Sequence, residues 1–267
     1  MSRYRLNWFN LTQSAGQDLC LKIPICEIYG PIVDRAFPGI EHIGWRQGTV
    51  GTGYTYIKHI SPENHDGLID FLQLLREIVC LRRTTHLDGH FAEELDENYA
   101  LDYNFQPDTF PLVYSEVGEL EHRAKEAEDA ASIARLVDRL AEVVRRHPTL
   151  ARAEVIVAMP PRPSKTFHLP VCLVDGLVDV LSGLTKITVS KKEHPKLRAL
   201  SIGEKISTLS DVFMGGKDVR EKSAIIVDDL HQSGASLWSL AKHLKSRGAS
   251  EVFALSCVKS WRDTDNI

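Results

Sequence analysis

The run Ala224-Ile-Ile-Val-Asp-Asp-Leu-His-Gln-Ser-Gly-Ala-Ser236 constrains this chain more than any other stretch. Its first four residues are apolar without alternation, the pattern of a strand covered on both faces. We expect that buried strand to span Ser223 to Val227, followed by two carboxylates, a tight turn and a helix starting near Gly234. Gly234 has no Cβ, so consecutive backbone N–H groups of the turn can converge on an anion. The helix start adds unpaired N–H groups and the positive end of its dipole. Ser233 and Ser236 can donate hydroxyl hydrogen bonds to the same anion. Asp228 and Asp229 would repel a phosphate, so they must sit beside it, where adjacent acids can accept from a ribose diol. A 5-phosphoribosyl group satisfies both halves of the motif.

The surrounding pattern supports an α/β fold. Apolar residues recur at helical spacing from Glu119 to Arg146, and His147-Pro148 ends that helix. Short apolar strands are expected at Glu154–Ala158, Ile187–Ser190 and Glu251–Val258, with helices at Leu169–Leu181 and Gly234–Arg247. Residues 191 to 222 read as mostly polar. Strands alternating with helices predict a parallel sheet covered on both faces, with ligands beyond the carboxyl ends of the strands.

Residues 1–116 read as a separate mixed α+β region and 117–267 as the motif-bearing domain. In the first region, Val50–Lys58 suggests a hairpin or bulged strand, and Leu68–Leu81 has helical apolar spacing. Gly51-Thr-Gly53 lacks a following helix start and is a poor phosphate loop. Asp88 to Asp108 reads as a solvated acidic loop. His86 and His90 precede its acids, but no second ligand cluster accompanies them.

Charge is uneven along the chain. From residue 151 on there are 17 Lys and Arg against 13 Asp and Glu, and before it 15 against 23. The basic half suits a diphosphate, while the net charge of −4 does not point to nucleic acid. Cys20, Cys26, Cys80, Cys172 and Cys257 are scattered and read as buried reduced thiols. No apolar run approaches membrane-spanning length, and the N-terminus lacks a signal peptide's apolar core, so a cytoplasmic location is expected.

From Ile225 to Ser236 the sequence resembles the type I phosphoribosyltransferases, whose hallmark is an apolar strand, two acids and a hydroxyl-rich Gly turn. The resemblance implies that Asp228 and Asp229 bind ribose, and Mg²⁺ through water. It implies that His231, Gln232, Ser233, Gly234, Ala235 and Ser236 bind the 5-phosphate. The turn after the first core strand, Met159-Pro-Pro161-Arg162-Pro163-Ser164, would hold pyrophosphate through Pro161, Arg162 and Pro163. The polar stretch from Ser190 to Lys222 would be a mobile catalytic loop carrying Lys191, Lys192, Lys196 and Arg198. Over about residues 120 to 260 the nearest subfamily is the competence-associated ComF-like group, on the layout Leu200-Ser201-Ile-Gly-Glu204-Lys205-Ile-Ser-Thr208-Leu209-Ser-Asp-Val-Phe213.

Departures from that pattern shape the expected function. Lys205 stands where arginine is usual and Thr208 where asparagine is, and the N-terminal Cys-x-x-Cys element is missing. Gln232 occupies a position where purine-salvage members carry an aspartate base, and glutamine accepts no proton at neutral pH. His231, one residue away, reads as a surface turn histidine. Lys259 and Trp261 lie just past the last strand, where an aromatic could stack on a base.

The resemblance thus implies an Mg²⁺-dependent transferase acting on 5-phosphoribosyl 1-pyrophosphate with an unidentified acceptor. Two alternatives stand beside it: a non-catalytic sensor of that ligand or a nucleotide, and an effector or partner subunit of a bacterial stress or phage-defence system. Residues 1–116 would serve as a hood over the acceptor or as a surface for a protein partner, and the family implies a homodimer.

Overall fold

The computed structural model describes residues 5–13, 18–48, 51–58, 60–82, 87, 89–164, 166–195, 197, 200–215 and 219–261. The chain forms two compact units, one from residues 1–80 with 143–151, the other from 81–142 with 152–267.

The first unit is an antiparallel sheet with helices. Strands β1 (Asn10–Gln13), β2 (Leu19–Pro24), β3 (Glu41–His42), β4 (Arg46–Gln47) and β5 (Thr52–Lys58) are arranged around β5, which pairs with β2, β3 and β4. Gly53, Thr55 and Ile57 are buried while Tyr54 and Tyr56 are half-buried, the period of two that a one-sided sheet requires. Gly51-Thr-Gly53 therefore leads into a strand. Helix α1 (Cys26–Ala36) is tied to the β3–β4 segment through Asp34, which accepts from the Trp45 indole at 3.0 Å and pairs with His42 Nε2 at 3.1 Å. Helix α2 runs from Pro62 to Glu77, earlier than the apolar spacing suggested. Ser61 caps it by accepting from Asn64 N at 3.3 Å, and Pro62 occupies the first turn. Its end at Ile78 leads into the short strand β6 (Val79–Cys80).

The second unit carries a parallel sheet, the expected fold class. Within it β7 (Glu97–Tyr103), β13 (Glu251–Lys259), β12 (Ser223–His231), β8 (Val155–Ala158) and β9 (Thr185–Ile187) lie side by side in that order. An antiparallel pair of β10 (Val189–Lys191) and β11 (Phe213–Gly215) forms a separate two-stranded sheet. The helices are α3 (Glu116–Glu126), α4 (Ala130–Arg146), α5 (Leu169–Val180), α6 (Ile202–Leu209) and α7 (Ala235–Ser246).

Strand periodicity divides the sheet's two faces. Val155, Val157, Ala224, Ile226, Val252 and Ala254 pack in one cluster with Leu237, Leu240 and Leu244 of α7. The alternating residues Ile225, Val227, Phe253 and Leu255 are buried against the opposite face, where α3 and α5 contact β13 and β12.

Several expectations are corrected. The single helix over 119–146 is two helices, because Glu128 takes a positive φ of 51° and Asp129 accepts from Ser132 N at 3.1 Å to start α4. The acidic 88–108 stretch contains β7, a buried strand. Two of its acids find partners: Glu97 accepts from Tyr99 OH at 3.1 Å, and Asp96 Oδ2 takes Val252 N at 2.8 Å and Lys245 Nζ at 2.8 Å. β7 pairs with β13, and residues 81–116 lie in the second compact unit. The polar 191–222 stretch contains α6, started by a capping box between Ser201 and Glu204, and β11. Cys20, Cys80 and Cys257 are buried free thiols, Cys172 is a half-buried one, and the Cys26 side chain lies outside the described residues.

Candidate functional site

The site lies at the carboxyl end of β12. This strand continues four residues beyond the expected end, to His231, so Asp228 and Asp229 are strand residues. The chain then turns through Gln232, Ser233 and Gly234 into α7. Gly234 has φ +82°, a conformation that side chains resist, and its carbonyl accepts the helix's Trp238 N at 2.9 Å. Ala235 N donates to Ser233 Oγ at 3.4 Å. Together with Asp228, Leu197 and Lys205, residues Leu230 to Leu237 line a pocket of about 120 Å³. This pocket gathers the expected Gln232, Ser233, Gly234, Ala235 and Ser236 at a helix N-terminus, a place that favours an anion.

His231 is buried, at 2% exposure, and is not the surface turn residue expected. Its ring lies under Gly234, and burial, reinforced by the Lys259 charge, lowers its pKa to about 3. It is a neutral filler beneath the loop. Lys259, itself buried, donates to the Gln232 carbonyl at 3.2 Å and to the Ser260 carbonyl at 3.1 Å, which pins the loop to the end of β13. Trp261 packs edge-on against Tyr103 at 5.2 Å, and its N–H is taken by Asn104 Oδ1 at 2.8 Å. Both residues therefore have contacts that brace the loop and the sheet's end.

The two acids part company because neighbours in a strand point to opposite faces. Asp228 shares the α7 face with Ala224 and Ile226 and enters the pocket. Burial, with the neighbouring Asp229 charge, holds its carboxyl well above the usual range. Asp229 lies on the α3 face, where its Oδ2 is 2.8 Å from Lys125 Nζ. Lys125 also reaches Glu121 at 3.2 Å. Burial alone would raise Asp229, but the Lys125 charge and hydrogen bond outweigh it and lower the pKa.

A divalent cation coordinated directly by both acids does not fit these residues. Asp229 Oδ2 is taken by Lys125 and its Oδ1 accepts Leu230 N at 2.8 Å, while Asp228 Oδ1 accepts Asp229 N at 2.9 Å. Among the described residues no group of three or more His, Cys, Asp or Glu is arranged for a metal, and His86 lies outside them.

The expected cations divide likewise. Lys191, at the end of β10, is buried, and burial lowers its pKa to about 8, with Asp228 raising it and Arg162 lowering it further. Asp228, Lys191 and Arg162 therefore share one electrostatic neighbourhood. Arg162 and Pro161 are half-buried and Pro163 is exposed. His194 adjoins the same cations. Its Nδ1 pairs with the Pro195 carbonyl at 2.7 Å, and burial lowers its pKa. Lys192 faces elsewhere, lining a groove of about 410 Å³ with Phe91, Phe213, Lys242 and His243. Lys196 and Arg198 lie outside the described residues.

Three residues escaped the sequence reading as site components. Lys205 was noted only as a replacement for arginine, yet it is buried at 3% exposure and lines the pocket at the start of α7. Glu121 and Lys125 carried one usable signal, their i, i+4 spacing on a helix. Nothing local tied them to Asp229.

The sequence matches no protein-family profile, and no curated protein matches it. Among solved structures it is similar to a hypoxanthine phosphoribosyltransferase from Staphylococcus aureus, at 13% identity over 48% of this chain and 62% of that one, TM-score 0.34. It is similar to a hypoxanthine-guanine phosphoribosyltransferase from Bacillus anthracis, at 17% identity over 48% and 68%, TM-score 0.33. A purine phosphoribosyltransferase from Pyrococcus horikoshii aligns at 19% identity over 48% and 83%, TM-score 0.32. The chain thus spans under two thirds of the Staphylococcus aureus protein.

Proposed function

We propose that the chain binds 5-phosphoribosyl 1-pyrophosphate and transfers its phosphoribosyl group to an acceptor with a nucleophilic atom. One observation carries this reading: the pocket at the N-terminus of α7 contains both the anion-binding turn and a buried carboxylate, Asp228. The 5-phosphate would sit on the N–H groups of Ser233 to Ser236. Asp228 would hydrogen-bond a ribose hydroxyl. In the reaction the C1–oxygen bond to diphosphate breaks and its electron pair leaves with the diphosphate. The acceptor's lone pair forms the new bond to C1, and its proton goes to solvent. Negative charge grows on the leaving diphosphate, where Arg162 and Lys191 would offset it. The layout from Leu200 to Phe213 supports a place near the ComF-like subfamily, and residues 1–116 are the remaining candidate for contacts to the acceptor.

A ligand sensor is the second reading, favoured by Gln232, which cannot act as a base and whose backbone is held by Lys259. Titration calorimetry with 5-phosphoribosyl 1-pyrophosphate, on wild type and Asp228→Ala, tests the site. Saturable heat that the substitution abolishes supports it, and folded wild type giving no heat defeats it. Pyrophosphate release across a panel of bases and nucleotides then separates transferase from sensor.

A further inference from the structure

The charge arrangement beneath the pocket assigns a task to Lys125. We propose that Lys125 is the resident cation between two buried carboxyl groups, its ammonium holding Asp229 and Glu121 together and keeping a divalent ion out. The geometry is direct. Lys125 Nζ lies 2.8 Å from Asp229 Oδ2 and 3.2 Å from Glu121 Oε1. Glu121 is 7% exposed and its carboxyl is pushed up by burial, so two carboxyl groups share a mostly buried space with one cation between them. Glu121 and Lys125 are one helical turn apart on α3, and period two along β12 turns Asp229 toward that helix.

The helix is also held close. Gly118 of α3 lies so near Asn104 that a Cβ there would overlap its carbonyl oxygen, and Ser115 caps the helix by accepting Gly118 N at 2.9 Å. Burial works against the Lys125 charge, but Asp229 and Glu121 together more than compensate and hold it protonated.

A divalent ion would need oxygens at about 2.0 to 2.6 Å, several of them from a ring of donors. Here Asp229 has committed one oxygen to Leu230 N and the other to Lys125. The ammonium offsets one of the two charges without that demand. On the ribosyl reading, on which this one consequence rests, Asp228 serves the sugar, and Asp229 joins it only when Lys125 is displaced.

The test uses Mn²⁺ alone, on the full chain without sugar phosphate, read by loss of the free-ion paramagnetic resonance signal and by thermal melting. Wild type is expected to leave millimolar Mn²⁺ free and its melting unchanged. Lys125→Ala is expected to melt lower, to bind Mn²⁺ at least tenfold more tightly than wild type, and to regain several degrees with the ion. Lys125→Gln keeps a hydrogen-bond donor and provides a folded variant if alanine yields none; it should show the same Mn²⁺ response in smaller measure. Adding Glu121→Gln to either should remove that response. Wild type binding Mn²⁺ as tightly as the variants would overturn the proposal, as would folded variants that bind none. Because no sugar ligand is present, failure of the ribosyl reading leaves this result intact. It would show separately, as wild type that does not bind 5-phosphoribosyl 1-pyrophosphate.

Discussion

A β-carbon placed on Gly234 would stand 2.9 Å from Nε2 of His231. The imidazole is buried under the turn, and Gly234 itself holds φ +82°, so neither partner can move cheaply. Gly234→Ala is expected to lose about 1 to 3 kcal/mol of stability in chemical denaturation. Affinity for ribose 5-phosphate should fall by more than tenfold, because the same distortion redirects the turn's N–H groups. Unchanged stability and affinity would remove the turn from the site.

His231 also makes stability depend on pH. Its folded pKa, about 3, is below the ordinary 6.5. Between those values the unfolded chain binds a proton that the native chain refuses, so stability falls as pH falls through that window. One such group contributes about 1.4 kcal/mol per pH unit there. Denaturation of wild type and His231→Asn at pH 7, 5.5 and 4.5 should show a shallower decline for the variant. Parallel declines would mean that the buried ring titrates normally.

Lys191 sets a pH limit at the alkaline side. Burial lowers its pKa from 10.5 to about 8. Between those values the unfolded chain carries the extra proton, so this group makes stability rise with pH across the window. Anion binding moves the other way, since the ammonium is lost as pH rises through about 8. Pyrophosphate affinity should drop from pH 7 to pH 9 more steeply in wild type than in Lys191→Met, the ligand's own titration being common to both. Equal slopes would place Lys191 away from the diphosphate.

Gly118 tests whether the approach of α3 matters. An added methyl group would overlap the Asn104 carbonyl, a backbone atom held by Ser115 N at 3.1 Å. Gly118→Ala should cost about 2 to 3 kcal/mol by overpacking. Gly203, an exposed position of α6, meets nothing within 4 Å and serves as the control: Gly203→Ala should be neutral or slightly stabilising, and both are read by thermal melting.

Much of the second unit was legible because its signals are local. The apolar run before Asp228 and the Gly turn after it specify a buried strand and a helix start without reference to distant residues. The chain's one-sided helices and short strands did the same for the parallel sheet. β7 was missed because its flanking acids read as solvated, whereas Asp96 finds its partners, Val252 N and Lys245, some 150 residues away. The break between α3 and α4 was visible in principle, as Asp129 followed three residues later by Ser132 is a capping signal, but continuous apolar spacing masked it.

By itself the sequence determined that a buried strand ends in an acidic pair and is followed by a glycine turn and a helix start, because backbone freedom, hydrophobic burial and charge are properties of neighbouring residues. Only the tertiary structure decided what each acid does. One more residue of strand changes the face to which every following side chain points, and that depends on pairing with β8 and β13. Packing then brought Asp228 within electrostatic reach of Lys191 and closed Asp229 against Lys125, a partner more than a hundred residues distant, because buried charges settle wherever the fold brings an opposite charge.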